Sequence, residues 1–133
     1  MPVPFEHLGL WFKLFSILFY PREAKRHAFA FIQHAAPSGF VVDLGGGAGT
    51  LLNLAHKIRT DFTYLCADPA IGMLKYVRPY AYRVAAVGED LPFRDNTVVA
   101  VMIGDAIHHF ADPERGITEV HRILKPGGKL FYI

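Results

Sequence analysis

Cysteine is almost missing from the sequence: Cys66 is the single one in 133 residues. One thiol forms no internal disulfide and supplies no cysteine metal cluster, and its scarcity fits a reducing compartment, read here as the cytoplasm. An excess of charge of one sign is also lacking. Fourteen Lys and Arg face twelve Asp and Glu, a formal +2, which argues against a dedicated nucleic-acid surface. No apolar run is long enough to cross a bilayer. The longest, residues 8–20, holds 13 residues and includes Lys13, whereas a spanning helix needs roughly 20 apolar residues. Glu6 and His7 stand where a secretory leader carries basic residues, and no small-residue cleavage site follows, so export is not expected. Internal repeats, low-complexity tracts and linkers are absent as well, and the length corresponds to about one domain.

What is present is apolar material. Hydrophobic residues make up 52% of the chain, enough to offset conformational entropy and to set aside intrinsic disorder. Residues 8–20 concentrate Leu8, Leu10, Trp11, Phe12, Leu14, Phe15, Ile17 and Leu18 before Phe19 and Tyr20, so something must cover them. A helix packed on its own domain is the first reading; a substrate lid or a membrane-surface contact are the alternatives.

From Phe40 onward, short apolar runs at 40–44, 62–67, 82–87, 97–103 and 129–133 alternate with stretches of helical period. That alternation specifies an α/β protein with a parallel sheet and crossover helices. Several runs are almost uniformly apolar, as in strands covered on both faces, so the sheet is expected to be open and doubly wound. Helix faces are read from Ala24, Ala28, Phe31, Ile32 and Ala35 over residues 22–36. They are read again from Leu51, Leu52, Leu54, Ala55 and Ile58, and from Ile71, Met73, Leu74 and Val77. A last helix starts at Asp112 as N-cap with Pro113 behind it, runs through Ile117, Val120, Ile123 and Leu124, and is stopped by Pro126, Gly127 and Gly128.

The central chemical signal is Val41-Val42-Asp43-Leu44-Gly45-Gly46-Gly47-Ala48-Gly49-Thr50, a strand running into glycines and then a helix. In an open α/β sheet the first such turn lies against the ligand, and glycines let its backbone approach closely. The spacing is not that of a dinucleotide site, whose third glycine would fall on Thr50, nor that of a phosphate loop, which needs a glycine-lysine pair. Instead the pattern is Asp43, Gly45, Gly47 and Gly49, with an acid ahead of the turn. A carboxylate there repels pyrophosphate but can order the loop or accept a hydrogen bond from a cationic ligand. Asp68, 25 positions on, ends the next apolar run, where an acid can accept from ribose hydroxyls. A nucleoside with a positive, phosphate-free substituent is the natural candidate.

These residues resemble the class I S-adenosylmethionine-dependent methyltransferases, and more narrowly the ubiquinone and menaquinone biosynthesis branch. The resemblance runs from about Phe40 to the end. It is carried by residues 42–50, by Ala67-Asp68-Pro69 with Met73-Leu74, by Glu89-Asp90-Leu91-Pro92-Phe93 and by His108-His109-Phe110. Glu119 with Arg122-Ile123-Leu124, and Lys125-Pro126-Gly127-Gly128-Lys129-Leu130, complete it. It implies a Rossmann-like doubly wound sheet of order 3-2-1-4-5, without the last two strands of the family's order 3-2-1-4-5-7-6. With the apolar and helical pattern ahead of it, the chain divides into an N-terminal helical segment or lid (1–36) and a C-terminally short S-adenosylmethionine-binding domain (37–133). The resemblance also implies that Gly45, Gly46, Gly47 and Gly49 line the methionine part of the cofactor. Asp43 would organise that turn and approach the amino group, and Asp68, with Pro69, would take the ribose. Gly88, Glu89 and Asp90 would wrap the adenine, with Met73 near the adenosine and Gly104 and Asp105 at the crevice edge.

Simpler readings stand beside these. Asp90 suits a solvated loop acid, Met73 and Leu74 suit the core, Asp105 divides evenly between capping and a site role, and His108 with His109 marks a helix start rather than acid–base chemistry. Val87 stands where the family often has an acid, and Val98-Val99 replace its usual Phe-Asp, so the adenine amino contact falls to Glu89, Asp90 or backbone carbonyls. No catalytic residue and no metal site is implied. The function read from the whole is S-adenosylmethionine-dependent methyl transfer to a small or hydrophobic acceptor; the alternative is a protein that binds S-adenosylmethionine or S-adenosylhomocysteine without transfer. One cysteine speaks against arsenic methylation. An apolar final strand left at the sheet edge is expected to pair, making a homo-oligomer.

Overall fold

Each uniformly apolar run becomes a strand because its β-branched and large side chains can be buried on both faces of a pleated surface. The structure is a computed structural model that describes residues 22–35, 38–104 and 106–132. Its strands are β1 (Gly39–Leu44), β2 (Phe62–Ala67), β3 (Ala81–Val84), β4 (Val98–Ile103) and β5 (Leu124–Tyr132). All neighbours pair in parallel, in the order β3-β2-β1-β4-β5, the order expected from the resemblance. The helices are α1 (Arg22–Gln33), α2 (Thr50–Ile58), α3 (Ile71–Leu74) and α4 (Pro113–Ile123), with a 3-10 turn at Ile107–His109. Strand order reverses between β1 and β4, so the ligand crevice of such a sheet lies at the carboxyl ends of these two strands. The readings for residues 1–21, and the site reading for Asp105, fall outside the described residues.

The sheet separates two cores. On one face Val41, Tyr64, Cys66 and Met102 meet Ala28 and Ile32 of α1 and Leu51, Leu52 and Ala55 of α2. On the other, Val42, Leu44, Val101 and Ile103 meet Leu91 and the Val120 and Ile123 side chains of α4. β4 is buried at all six positions, as a central strand covered on both sides must be. Arg59 fastens α1 to this body. Its Nη1 donates to the carbonyls of Ile32 and Ala35 at 3.3 and 3.4 Å, its Nε and Nη2 reach the Asp61 carboxylate at 2.7 and 2.6 Å, and its guanidinium lies 4.2 Å from the Phe62 ring centroid.

The start of α4 is as the sequence indicates: the Asp112 carboxylate accepts from the Arg115 N–H at 3.1 Å, with Pro113 in the first turn. Its end differs. The helix passes straight into β5 at Leu124, and the Pro126-Gly127-Gly128 segment loops out within the strand. Val98 pairs with Leu124 but Ala100 with Lys129, and Gly127 takes φ 80° at the bend. β3 stops at Val84 rather than Val87 because residues 87–90 fold back on themselves through a Val87 to Asp90 bridge. Ile117 and Ile71 are 38% and 65% exposed, although helical periodicity places them on buried faces. On α4 the buried face is made by Gly116, Val120 and Ile123, and the Phe110 ring seats against Gly116 so closely that a Cβ there would lie 2.5 Å from it.

Burial separates two neighbouring apolar residues of α1. Ile32 is 1% exposed and Phe29 45%. Ile32→Ala is expected to cost about 2 to 5 kcal/mol in chemical denaturation, and Phe29→Ala less than about 1 kcal/mol. Equal effects would contradict the packing of α1 on α2.

Candidate functional site

The turn after β1 is built from backbone. The Gly45 N–H donates to the Ala67 carbonyl at 2.7 Å, which carries the chain across the end of β2, and Gly49 begins α2 by accepting from the Asn53 N–H at 2.9 Å. Gly47 adopts φ 56°, a left-handed conformation that side chains resist. Gly46 is required for another reason: a Cβ there would stand 2.6 Å from Asp43 Oδ2 and 2.7 Å from Cys66 Sγ. The turn thus lies directly on Asp43 and presents only main chain on that side. Met73, buried at 2% exposure, supports it from α3, its Cε lying 3.1 Å from where a Gly47 Cβ would be.

Two carboxylates define the electrostatics. Asp43 is 1% exposed, and neither of its oxygens has a hydrogen-bond partner among the described residues. Burial, and then the charge of Asp68, push its pKa up to about 8. Asp68 sits just past β2 and is partly buried. Its Oδ2 accepts from the Gly47 N–H at 2.9 Å and its Oδ1 from the Ala70 N–H at 2.7 Å. Desolvation raises its pKa, against the opposing pull of those two N–H groups and of His109. Cys66 lies between the acids and donates to the Gly47 carbonyl at 3.8 Å; burial raises its thiol pKa, and the two carboxylates push it further. Hydroxyl donors suit the lone pairs left on Asp68, and a cation suits the bare Asp43 carboxylate. A phosphate would face two acids, so the donor set fits the phosphate-free, cationic nucleoside inferred from the spacing.

The loop between β3 and β4 supplies the next group of residues. Gly88 is buried flat against Phe110, whose ring atoms lie 2.6 Å from a hypothetical Cβ. Glu89 Oε1 accepts from the Asp112 N–H at 3.3 Å, so this acid is already engaged at the start of α4. Asp90 is exposed, and its N–H donates to the Val87 carbonyl at 3.2 Å. Pro69 is exposed beside Asp68, and Gly104 is partly buried at the end of β4.

A clamp on this loop has no assigned role in the sequence reading. Arg122 donates to the Leu91 and Phe93 carbonyls at 3.0 and 2.7 Å and to Asp95 Oδ1 at 2.9 Å. Its Nε and Nη2 also reach Glu119 at 2.7 and 2.9 Å, while Glu119 Oε2 accepts from the Leu91 N–H at 2.8 Å. The Arg122 guanidinium holds the Glu119 pKa down to about 2. The i,i+3 spacing on α4 marks the pair, but only tertiary structure says which loop it grips. Among the described residues no group of three or more His, Cys, Asp or Glu is arranged to hold a metal ion. Phe29, Ile32, Leu54 and Ile58 line the apolar seam where α1 packs on α2, and no titratable side chain lines it.

With this geometry in place, comparison with known proteins is specific. A family profile described as a methyltransferase domain matches residues 42–132. An uncharacterized methyltransferase of Mycobacterium tuberculosis is 37% identical over 93 residues, covering 68% of this chain and 37% of the relative. A demethylmenaquinone methyltransferase of Corynebacterium kroppenstedtii is 37% identical over 95 residues, covering 71% and 41%. This chain therefore spans about two-fifths of the length of these relatives. Among solved structures, a Methanococcus maripaludis protein assigned as an S-adenosyl-L-methionine-dependent methyltransferase superposes with TM-score 0.84 at 20% identity, over 96% of this chain and 62% of that one. Geranyl diphosphate C-methyltransferase from Streptomyces coelicolor, solved with S-adenosyl-L-homocysteine, superposes with TM-score 0.72 at 18% identity, over 83% and 44%. Since the matched region is well over half of its residues, this chain belongs to the S-adenosylmethionine-dependent methyltransferase family, with S-adenosylmethionine as the cofactor.

Proposed function

We propose that this chain binds S-adenosylmethionine at the glycine turn and serves methyl transfer to a small or hydrophobic acceptor. The observation that carries the reading is Asp43, a carboxylate buried without a partner directly under a turn that offers only backbone. In this reading the main chain of Gly45 to Gly49 receives the methionine part, and Asp43 faces its ammonium. Asp68, oriented by the Gly47 and Ala70 N–H groups, accepts from the ribose hydroxyls, and the 87–90 segment borders the adenine. When bound, the cofactor supplies an electrophilic methyl group on a sulfonium. The protein's own part is to hold donor and acceptor in line and to exclude water, with a general base required only where the acceptor must lose a proton. No residue is assigned that role.

The acceptor class rests on two supports. Relatives named as demethylmenaquinone and ubiquinone/menaquinone C-methyltransferases match 70% or more of this chain, and residues 8–20 supply apolar and aromatic side chains such as Trp11 and Phe15. The proposal extends to a cytoplasmic protein that self-associates. A strictly monomeric species in light scattering at high concentration overturns the self-association.

Calorimetry is expected to show binding of S-adenosylmethionine and S-adenosylhomocysteine and none of NAD. Turnover with quinone-type and lipid-type acceptors then separates an enzyme from a binder; NAD binding in place of the sulfur ligands overturns the reading. Asp68→Ala is expected to weaken cofactor affinity by about 1 to 3 kcal/mol through loss of a partly buried acceptor. Arg122→Ala, which frees the 91–95 loop without touching the turn, should weaken affinity less and lower the denaturation midpoint more. The opposite order would argue against Asp68 as a ligand contact.

A further inference from the structure

β1 places Asp43 opposite Cys66 of β2 and Met102 of β4, with the Gly46 backbone over it. The titratable groups acting on it or sharing its surroundings are Asp68 and Cys66 at the end of β2 and Tyr80 in the turn before β3, with His109 acting on Asp68 from the 3-10 turn. No Lys, Arg or His pairs with the Asp43 carboxylate among the described residues. An ionised carboxylate so enclosed, with no donor and a second acid nearby, is costly, and taking up a proton removes the cost. A cation brought to it reverses the balance.

We propose that Asp43 is a proton-loaded counter-ion: neutral in the cofactor-free chain, it gives up its proton to solvent when the cofactor's ammonium is seated in the glycine turn, so binding and proton release are coupled. This rests on the cofactor reading above and adds a regulation to it. One O–H bond breaks, the proton leaves to buffer, the carboxylate pairs with the ammonium, and no electrons are transferred. Two pH dependences result. The folded chain holds its Asp43 proton up to about pH 8, whereas an unfolded aspartate loses it near pH 4, so native protein binds more protons across that window. Stability of the cofactor-free chain therefore falls as pH rises through it. Affinity runs the other way, rising roughly tenfold per pH unit below about pH 7 and levelling near pH 8, where the ligand's own amino group begins to deprotonate.

The test is calorimetry of the wild-type chain with S-adenosylmethionine and with S-adenosylhomocysteine, between about pH 6 and 7.5, in buffers of different ionisation enthalpy. Release of close to one proton per ligand at about pH 7 is expected from both, since both carry the ammonium. Isotope-edited infrared difference spectra should lose the band of a neutral buried carboxylic acid on ligand addition, a band that Asp43→Asn lacks from the start. His109→Gln should keep the proton release; loss of it there assigns the proton to His109 and overturns the inference. Binding without proton release and with pH-independent affinity also overturns it, leaving the cofactor reading intact. Absence of binding at every pH overturns both, and the infrared band of the cofactor-free chain still reports whether Asp43 holds a proton.

Discussion

A carboxylate enclosed under a turn without side chains sets the terms for the rest of this molecule. Asp43 lies beneath the Gly46 backbone and beside Cys66, almost wholly removed from bulk solvent, and no base pairs with it among the described residues. That arrangement is tolerable only on a rigid support. β1 supplies it by lying between β2 and β4, in register with both at Asp43. The turn itself is tied to β2 through the Gly45 N–H on Ala67 and the Gly47 N–H on Asp68. Strain of this kind, concentrated at one point and held by surrounding structure, is typical of a place where a ligand completes the set of partners.

The same contacts favour one kind of nucleoside in the binding mode proposed for the turn. Phosphate-binding turns offer N–H groups and positive potential. Here the Gly47 N–H is already spent on the Asp68 carboxylate, and Asp43 beneath the turn adds no positive charge that a phosphate could use. The distinction that spacing made against dinucleotide and phosphate-loop patterns is thus repeated by hydrogen bonding and charge, which are independent grounds. Further out, the crevice wall formed by the loop before β4 is shaped by α4. Phe110 fills the gap between Gly88 and Gly116, and the Glu119–Arg122 pair grips main chain from Leu91 to Asp95. Residues far from the turn in sequence therefore set the position of the segment proposed to border the adenine.

Much of this is legible in the sequence. Local rules were enough for β1, β2 and β4, since a largely apolar run of about six residues has few other places to go, and for the start of α4, whose cap at Asp112 is made by a side chain three residues from its partner. The glycine turn and both acids were legible for the same reason: the strand that carries them and the helix that follows lie next to them in the chain. Where reading failed, tertiary packing was the cause. Ile117 fits the helical period of α4, yet lies on the flank of the face that Gly116, Val120 and Ile123 bury and is 38% exposed. Pro126-Gly127-Gly128 reads as a stop, yet becomes an outward loop because β5 must resume its register against Ala100.

The sequence by itself determined the sheet, its parallel sense, the turn and the identity of the two acids, because each depends on residues within a few positions or on a pattern repeated along the chain. Tertiary structure alone decided the state of those acids. Whether a carboxylate is solvated, paired or bare is a sum over groups brought together from β2, β4, α3 and the 3-10 turn, and desolvation has no signature in the order of residues. That is why Asp43 and Asp68, equivalent letters in the sequence, stand in the folded chain as one acid without a partner and one held by two backbone donors.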